Sequence, residues 1–143
     1  MNQADLNKLI ASVEANDPTA MFIYAEYLRP TDPAGADKYI LLAAYLGQPQ
    51  AQEAYGDKCH ADGDYVTAAR FYRRGARVGM LDCSVKLAAM ELETNEEKAV
   101  RELEDLAENG VKSACAALSA YYRVKGKNKE AKYWESLIKK VCN

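Results

Sequence analysis

The sequence predicts an all-α fold: a right-handed α-solenoid of about four antiparallel helix pairs, preceded by one further helix at the N-terminus. Three observations support this prediction. The chain repeats itself every 31 or 32 residues, the spacing that separates Gly47, Gly79 and Gly110. Small residues recur at fixed positions relative to these glycines. Apolar residues between them follow the three-and-four spacing of an amphipathic helix, and no segment alternates as a strand does.

Small residues occupy two positions in every repeat. One lies eleven residues before each glycine and continues one period later: Ala36, Ala68, Ala99 and Ala131. The other lies four residues after each glycine and also occurs one period earlier: Ala20, Ala51, Cys83 and Ala114. Because helix pairs can stack closely only where the side chains at the contact are small, this pattern predicts a continuous stack of pairs.

The elements follow in order from this repeat. Residues 4–15 form a short helix whose apolar side chains share one face, and we expect this helix to cap the first repeat. Those side chains are Leu6, Leu9, Ile10 and Val13. The helix pairs occupy residues 17–47, 48–79, 80–110 and 111–143, and together with the first helix they make a single domain over residues 1–143.

Capping residues mark where the helices begin and end. Asp17 and Asp32 each precede a proline, which is the arrangement of an N-cap followed by a first turn. Asn95, before two glutamates, is a third expected cap. The three glycines suit the left-handed conformation that follows a helix C-terminus.

The charge balance excludes several classes of function. The chain has 19 Lys and Arg against 21 Asp and Glu, so its net charge is −2. We therefore expect no nucleic-acid partner and no binding to an anionic membrane surface. No run of 18 apolar residues predicts a membrane span. Residues 1–5 lack the basic and apolar segments of a secretory signal, so we expect a cytoplasmic protein.

The cysteines and the single histidine do not form a metal or redox motif. Cys59, Cys83 and Cys115 fall at inward-facing helical positions, Cys142 is expected to be exposed, and no Cys-x-x-Cys occurs. We expect reduced thiols rather than disulfides. Neighbouring residues on a helix point about 100° apart, so His60 cannot easily share a metal with Cys59. We expect no metal, no cofactor and no catalytic residue.

Two segments carry a resemblance to a known family. Residues 37–51 contain an acid–base pair, an aromatic residue, an Ala-Ala pair, a glycine, and an alanine that opens the next helix. Residues 68–79 repeat much of this phrase. The pattern resembles the Sel-one-like branch of the tetratricopeptide superfamily over residues 17–143. The chain departs from it in its short period and in the third repeat, where Lys86 and Glu102 replace apolar or aromatic residues.

The resemblance implies a protein-binding scaffold whose first helices line a concave groove. The groove positions of similar repeats fall here on Phe22, Glu26, Arg29, Gln50, Glu53, Asp57, His60, Asp82, Val85 and Arg123, with smaller residues such as Thr19, Ser113, Ala116 and Ala120 at the same phases. Acids dominate the middle of this set. We expect a monomer that binds a protein or peptide carrying a basic segment and an apolar anchor near Phe22 or Val85.

Two other readings stay open at this point. Ser136 and Lys139 match the Ser-x-x-Lys of penicillin-recognising enzymes, and some Sel-one-like proteins are linked to penicillin binding, but the companion motifs of such enzymes are absent. A hydrolytic enzyme of this type is one alternative. A self-associating subunit, in which an exposed repeat edge stacks on another copy, is the second.

Overall fold

A computed structural model describes residues 1–141, and within this range the chain forms nine α-helices and no strand. The all-α prediction is confirmed. The helices are α1 (Gln3–Glu14), α2 (Pro18–Leu28), α3 (Pro33–Tyr45), α4 (Pro49–Ala61), α5 (Tyr65–Arg77), α6 (Leu81–Glu91), α7 (Glu96–Glu108), α8 (Lys112–Val124) and α9 (Asn128–Val141). In this part of the chain no helix is both long and apolar enough to cross a bilayer. Cys142 lies outside the described residues.

The chain divides into two compact units, Met1–Val78 and Gly79–Asn143. The first holds α1 to α5 and the second holds α6 to α9. Within each unit consecutive helices pack against one another, and α6 also packs against α8. The connections between them are short, which makes neighbouring helices antiparallel. The single domain over residues 1–143 and the handedness of the stack stay predictions.

The four helices of the second unit repeat the last four of the first unit at a distance of 63 residues. Helices α6, α7 and α8 begin and end 63 positions after α2, α3 and α4, and α9 begins 63 positions after α5. We call two residues 63 positions apart equivalent. Equivalent turns share their bonds: the Asp32 N–H donates to the Leu28 carbonyl and the Asn95 N–H to the Glu91 carbonyl, both at 2.7 Å. The 31- or 32-residue period is therefore the length of one helix pair. The 63-residue period relates α2–α5, which are two helix pairs, to α6–α9, which are the next two.

Aspartate caps begin α2 and α3 as predicted. The Asp17 carboxylate accepts the Thr19 N–H at 3.0 Å, and the Asp32 carboxylate accepts the Gly35 N–H at 3.0 Å. The expected cap at Asn95 is confirmed in its position but not in its bond. Asn95 occupies the N-cap position of α7, but its side chain caps no N–H, and acids in the first turn complement the helix dipole instead.

Residues with positive φ end the repeats. Gly47, Gly79 and Gly110 have φ of 92°, 91° and 88°, which confirms their predicted left-handed conformation. Asn16 has φ of 63° and stands one period before Gly47. Asparagine tolerates this conformation better than most residues, so the series continues to the end of α1 without a glycine.

Each unit has its own core, built largely from alanine around one large aromatic side chain. In the first unit Phe71 is 1% exposed, and its ring meets those of Tyr45 and Tyr55 edge-on at centroid distances of 5.5 and 4.8 Å. In the second unit the equivalent residue is Trp134, which packs with Leu103 and Leu118. The small residues predicted to allow close packing are buried, which confirms that part of the pattern: Ala20, Ala36, Ala51, Ala68, Cys83, Ala99, Ala114 and Ala131.

Candidate functional site

Four of the predicted groove residues form a continuous stripe on α4. Gln50, Glu53, Asp57 and His60 follow one another at intervals of three, four and three residues, which places them on one side of the helix. Gln50, Asp57 and His60 are exposed and Glu53 is half-buried. We call these four residues the α4 face. The buried side of α4, which includes Gln52 and Cys59, points into the core of the first unit.

One hydrogen bond and one ring contact join the α4 face to α5. The Tyr72 hydroxyl donates to the Asp57 carboxylate at 2.5 Å, which ties α4 to α5. The His60 ring lies 5.1 Å from that of Tyr65, centroid to centroid, at the start of α5. The stripe therefore belongs to a packed helix pair and does not depend on a mobile loop.

The predicted groove residues of α2 lie beside this face but contribute less charge. Phe22 is half-buried and packs in the same cluster as Ala54 and Tyr55 of α4. Glu26 and Arg29 form an ion pair at 3.0 Å, with both side chains about half exposed. Since Arg29 offsets the charge of Glu26, these two residues together add no net charge to the region.

In the second unit the predicted groove residues are buried or bonded to neighbouring helices. Val85 is 5% exposed and lies in the core. It offers almost no surface to a partner, so the prediction that a partner's apolar anchor packs near Val85 is not met. Asp82 accepts a hydrogen bond from the Ser113 hydroxyl at 2.7 Å, which joins α6 to α8. Arg123 is exposed and forms an ion pair with Glu135 of α9.

Helix α8, the equivalent of α4, carries different residues at the positions of the α4 face. The positions of α8 equivalent to the α4 face hold Ser113, Ala116, Ala120 and Arg123. The same backbone position therefore accepts alanine where α4 has Glu53 and Asp57. The equivalent helix thus packs without acids at these positions, whereas in the first unit Asp57 also accepts the bond from Tyr72.

Ser136 and Lys139, which suggested the enzyme alternative, form no hydrogen bond to each other in the structure. Ser136 is exposed, and its hydroxyl donates to the Tyr133 carbonyl at 2.6 Å, as serines in helices often do. Lys139 is exposed on the last turn of the same helix. Among residues 1–141 no cluster of three or more His, Cys, Asp or Glu side chains is arranged to hold a metal ion.

The three cysteines of the described chain are buried and are not joined in disulfides there. Burial raises the pKa of the Cys59 thiol, although a hydrogen bond from Tyr55 acts in the opposite direction. Burial also raises the pKa of the Cys115 thiol. These thiols are less ionised than ordinary ones, as expected of cysteines that serve as small core residues.

One cluster was missed by the sequence analysis. The Tyr121 hydroxyl of α8 donates to the Glu96 carboxylate of α7, and Lys125 Nζ lies 3.7 Å from Glu96 Oε2. Glu96 and Tyr121 border a shallow hollow with Val100 and Arg101. The bond to Glu96 raises the pKa of Tyr121 to about 12, and the same bond lowers the pKa of Glu96.

A similar bond between consecutive helices occurs in the first unit. The residue equivalent to Tyr121 is Lys58, whose Nζ lies 2.7 Å from Asp37 Oδ2. Both side chains tie a helix to the one before it. A polar residue recurring at this position is recognisable in the sequence once the 63-residue period is known.

No family model matches this chain, and neither the curated proteins nor the solved structures contain a match. The assignment to an all-helical, repeat-like fold therefore rests on the period of the sequence and on the packing of the helices.

Proposed function

We propose that the chain is a protein–protein interaction scaffold of the Sel-one-like, tetratricopeptide-related type, which binds a partner segment along the α4 face and the neighbouring surface of α2. The observation that carries this proposal is the pair of carboxylates, Glu53 and Asp57, at positions where the equivalent helix has alanine. Since the equivalent helix packs without acids there, we attribute this pair of carboxylates to a ligand in addition to the bond that Asp57 accepts from Tyr72. The proposal assigns no catalytic residue and no cofactor.

The chemistry of the α4 face defines the partner. Two carboxylates one helical turn apart attract lysine or arginine side chains, and Gln50 at one end can pair with backbone amides. His60 closes the other end with a flat, partly apolar ring. Phe22 of α2, half-buried in the same cluster as Ala54 and Tyr55 of α4, offers an apolar edge. The partner is therefore a protein segment that combines basic side chains with at least one apolar side chain.

The buried thiols support a reducing compartment. Cys59, Cys83 and Cys115 are buried, and no disulfide joins them within the described residues. Such cysteines are typical of cytoplasmic proteins, and the proposal places the scaffold there.

The test neutralises the α4 face without changing side-chain shape. Wild type, Glu53→Gln/Asp57→Asn and the control Asp105→Asn/Glu108→Gln are used to capture partners from source-cell extract, with quantitative mass spectrometry. The control removes two carboxylates from an exposed part of α7 and so matches the change in net charge. The amide at position 57 keeps the acceptor for Tyr72. We expect a protein with a basic segment to be retained by wild type and control and reduced at least about tenfold by the α4 variant.

Two results would count against the proposal. Equal retention by all three proteins would remove the α4 face as the binding surface. Equal loss from the α4 variant and the control would show that net charge alone governs capture.

A further inference from the structure

The solvent side of α5 carries only basic charge. Arg70, Arg73, Arg74 and Arg77 follow the i, i+3, i+4, i+7 spacing that gathers side chains into one stripe. Arg70 and Arg77 are two turns apart, about 10 Å along the axis. The buried residues of α5, which include Ala68 and Tyr72, lie on the other side of the helix.

These arginines are not engaged by carboxylates of the fold. Among residues 1–141 none of the four forms an ion pair within 4 Å. Arg74 Cζ lies 5.1 Å from the centroid of the Phe71 ring, a cation–π contact that holds this guanidinium at the edge of the stripe. Arg70 acts weakly on the N-cap Asp64, whose carboxylate is committed to the Thr67 N–H.

An exposed apolar patch adjoins the arginines. Tyr45 of α3 is 62% exposed, yet its ring meets Phe71 edge-on, so it lies next to the Phe71–Arg74 contact. Leu42, one turn earlier on the same side of α3, is 40% exposed. We call the four arginines with Leu42 and Tyr45 the α3–α5 face.

The second unit shows that the fold does not require this composition. The positions of α9 equivalent to the four arginines hold Tyr133, Ser136, Leu137 and Lys140. Those of α7 equivalent to Leu42 and Tyr45 hold Asp105 and Glu108. Helices α7 and α9, the equivalents of α3 and α5, thus carry acids in place of the exposed apolar residues and one basic residue in place of four.

We propose that the α3–α5 face is a second docking surface, and that its occupant is an acidic segment of another protein with an apolar anchor side chain. Charge complementarity selects the acidic partner, since four guanidinium groups here lack carboxylates, and arginine pairs with carboxylates through two parallel hydrogen bonds. Leu42 and Tyr45 select a partner with apolar side chains, which a purely phosphate-bearing ligand lacks. The scaffold would then bind a basic segment on the α4 face and an acidic segment here.

The test uses a fluorescein-labelled peptide with glutamates at helical spacing around one tryptophan, and a second peptide with glutamine at every glutamate. Binding to the full chain is followed by fluorescence anisotropy. We expect the glutamate peptide alone to bind. Arg73→Gln/Arg77→Gln should weaken this binding roughly tenfold, because it removes two of the guanidinium groups that pair with the glutamates. The control Lys129→Gln/Lys132→Gln, with the same change in charge on exposed positions of α9, should change it less than about twofold.

A second variant tests the apolar part of the face. Tyr45→Glu installs the residue of the equivalent position, where the fold accommodates it, and should abolish binding of the glutamate peptide. Glu53→Gln/Asp57→Asn should leave this binding intact, which separates the inference from the function proposed for the α4 face.

Four outcomes would overturn the inference. They are no binding of the glutamate peptide, equal weakening by the lysine control, a preference for single-stranded RNA or phosphatidylserine vesicles over the peptide, and self-association that Arg73→Gln/Arg77→Gln removes.

Discussion

At the scale of single residues, Gly56 shows how closely α4 approaches α5. A Cβ added at Gly56 would lie 2.7 Å from Cε1 of Tyr72, whose hydroxyl is anchored to Asp57. Helix propensity alone would make Gly56→Ala stabilising by about 1 kcal/mol. Overpacking against an anchored ring costs about 1–3 kcal/mol. We therefore expect Gly56→Ala to lower the free energy of unfolding by about 1 kcal/mol in urea titrations.

The equivalent residue supplies the control for this prediction. Ser119 has room for its Cβ because Glu135 replaces the tyrosine ring there, and its hydroxyl donates to Glu135 at 3.1 Å. Ser119→Ala should cost only the hydrogen bond, about 0.5–1.5 kcal/mol. If Gly56→Ala proves more stable than wild type, the helices do not approach as closely as described.

The Tyr121–Glu96 bond makes a pH-dependent prediction at the same scale. The pKa of Glu96 lies below its ordinary value near 4.5, so the stabilising effect of the bond is present above that value and is lost as pH falls through the lowered pKa. The pKa of Tyr121 is raised from 10.0 to about 12, so the effect is present below pH 10 and lost as pH rises through 12.

Tyr121→Phe tests this directly. The difference in unfolding free energy between wild type and Tyr121→Phe should be largest from about pH 5 to pH 10 and should shrink on both sides. Carboxyl NMR titration should show the pKa of Glu96 moving back up in the variant. A Glu96 pKa that is the same in both proteins would contradict the bond.

At the scale of elements, the two units begin their first equivalent helices differently. Asp17 caps α2, whereas the equivalent Met80 precedes α6 without a side-chain cap. An aspartate N-cap contributes about 1 kcal/mol. We expect Asp17→Ala to lower the free energy of unfolding and Met80→Asp to raise it, each by about that amount, in thermal and urea unfolding.

Met80→Ala isolates the contribution of the cap. It removes the methionine without adding a capping oxygen, so only Met80→Asp should stabilise α6. A stability of Met80→Asp that does not exceed that of Met80→Ala would show that the start of α6 cannot accept a cap.

The helices themselves were predictable because each carries several independent signals. The buried face of α4 and the glycine after its partner α5 both follow from spacing in the sequence. The functional faces were less predictable, since sequence phase assigns a side of a helix but not its neighbours. Val85 has the phase of a groove residue yet is buried among Ala88, Leu103 and Leu118.

At the scale of the whole molecule, the 63-residue period changes how the sequence is interpreted. Each helix pair of one unit has a counterpart in the other, so packing requirements appear twice and departures identify what packing does not require. By this criterion, Glu53 and Asp57 on the α4 face stand out, as do Arg70, Arg73 and Arg77 on α5. The 31- or 32-residue spacing relates single helix pairs in one series, so it does not show which residues are equivalent over 63 positions.

Site-specific photo-crosslinking tests the central claim, a partner bound on the α4 face, most directly. A photoreactive amino acid is placed at Gln50 on α4 or at Ala120 on α8, both exposed positions, and the full chain is irradiated in source-cell extract. The account predicts crosslinks from position 50 to a basic segment of another protein, and none from position 120. Crosslinks to the same protein from position 120 alone, or none from position 50, would contradict it.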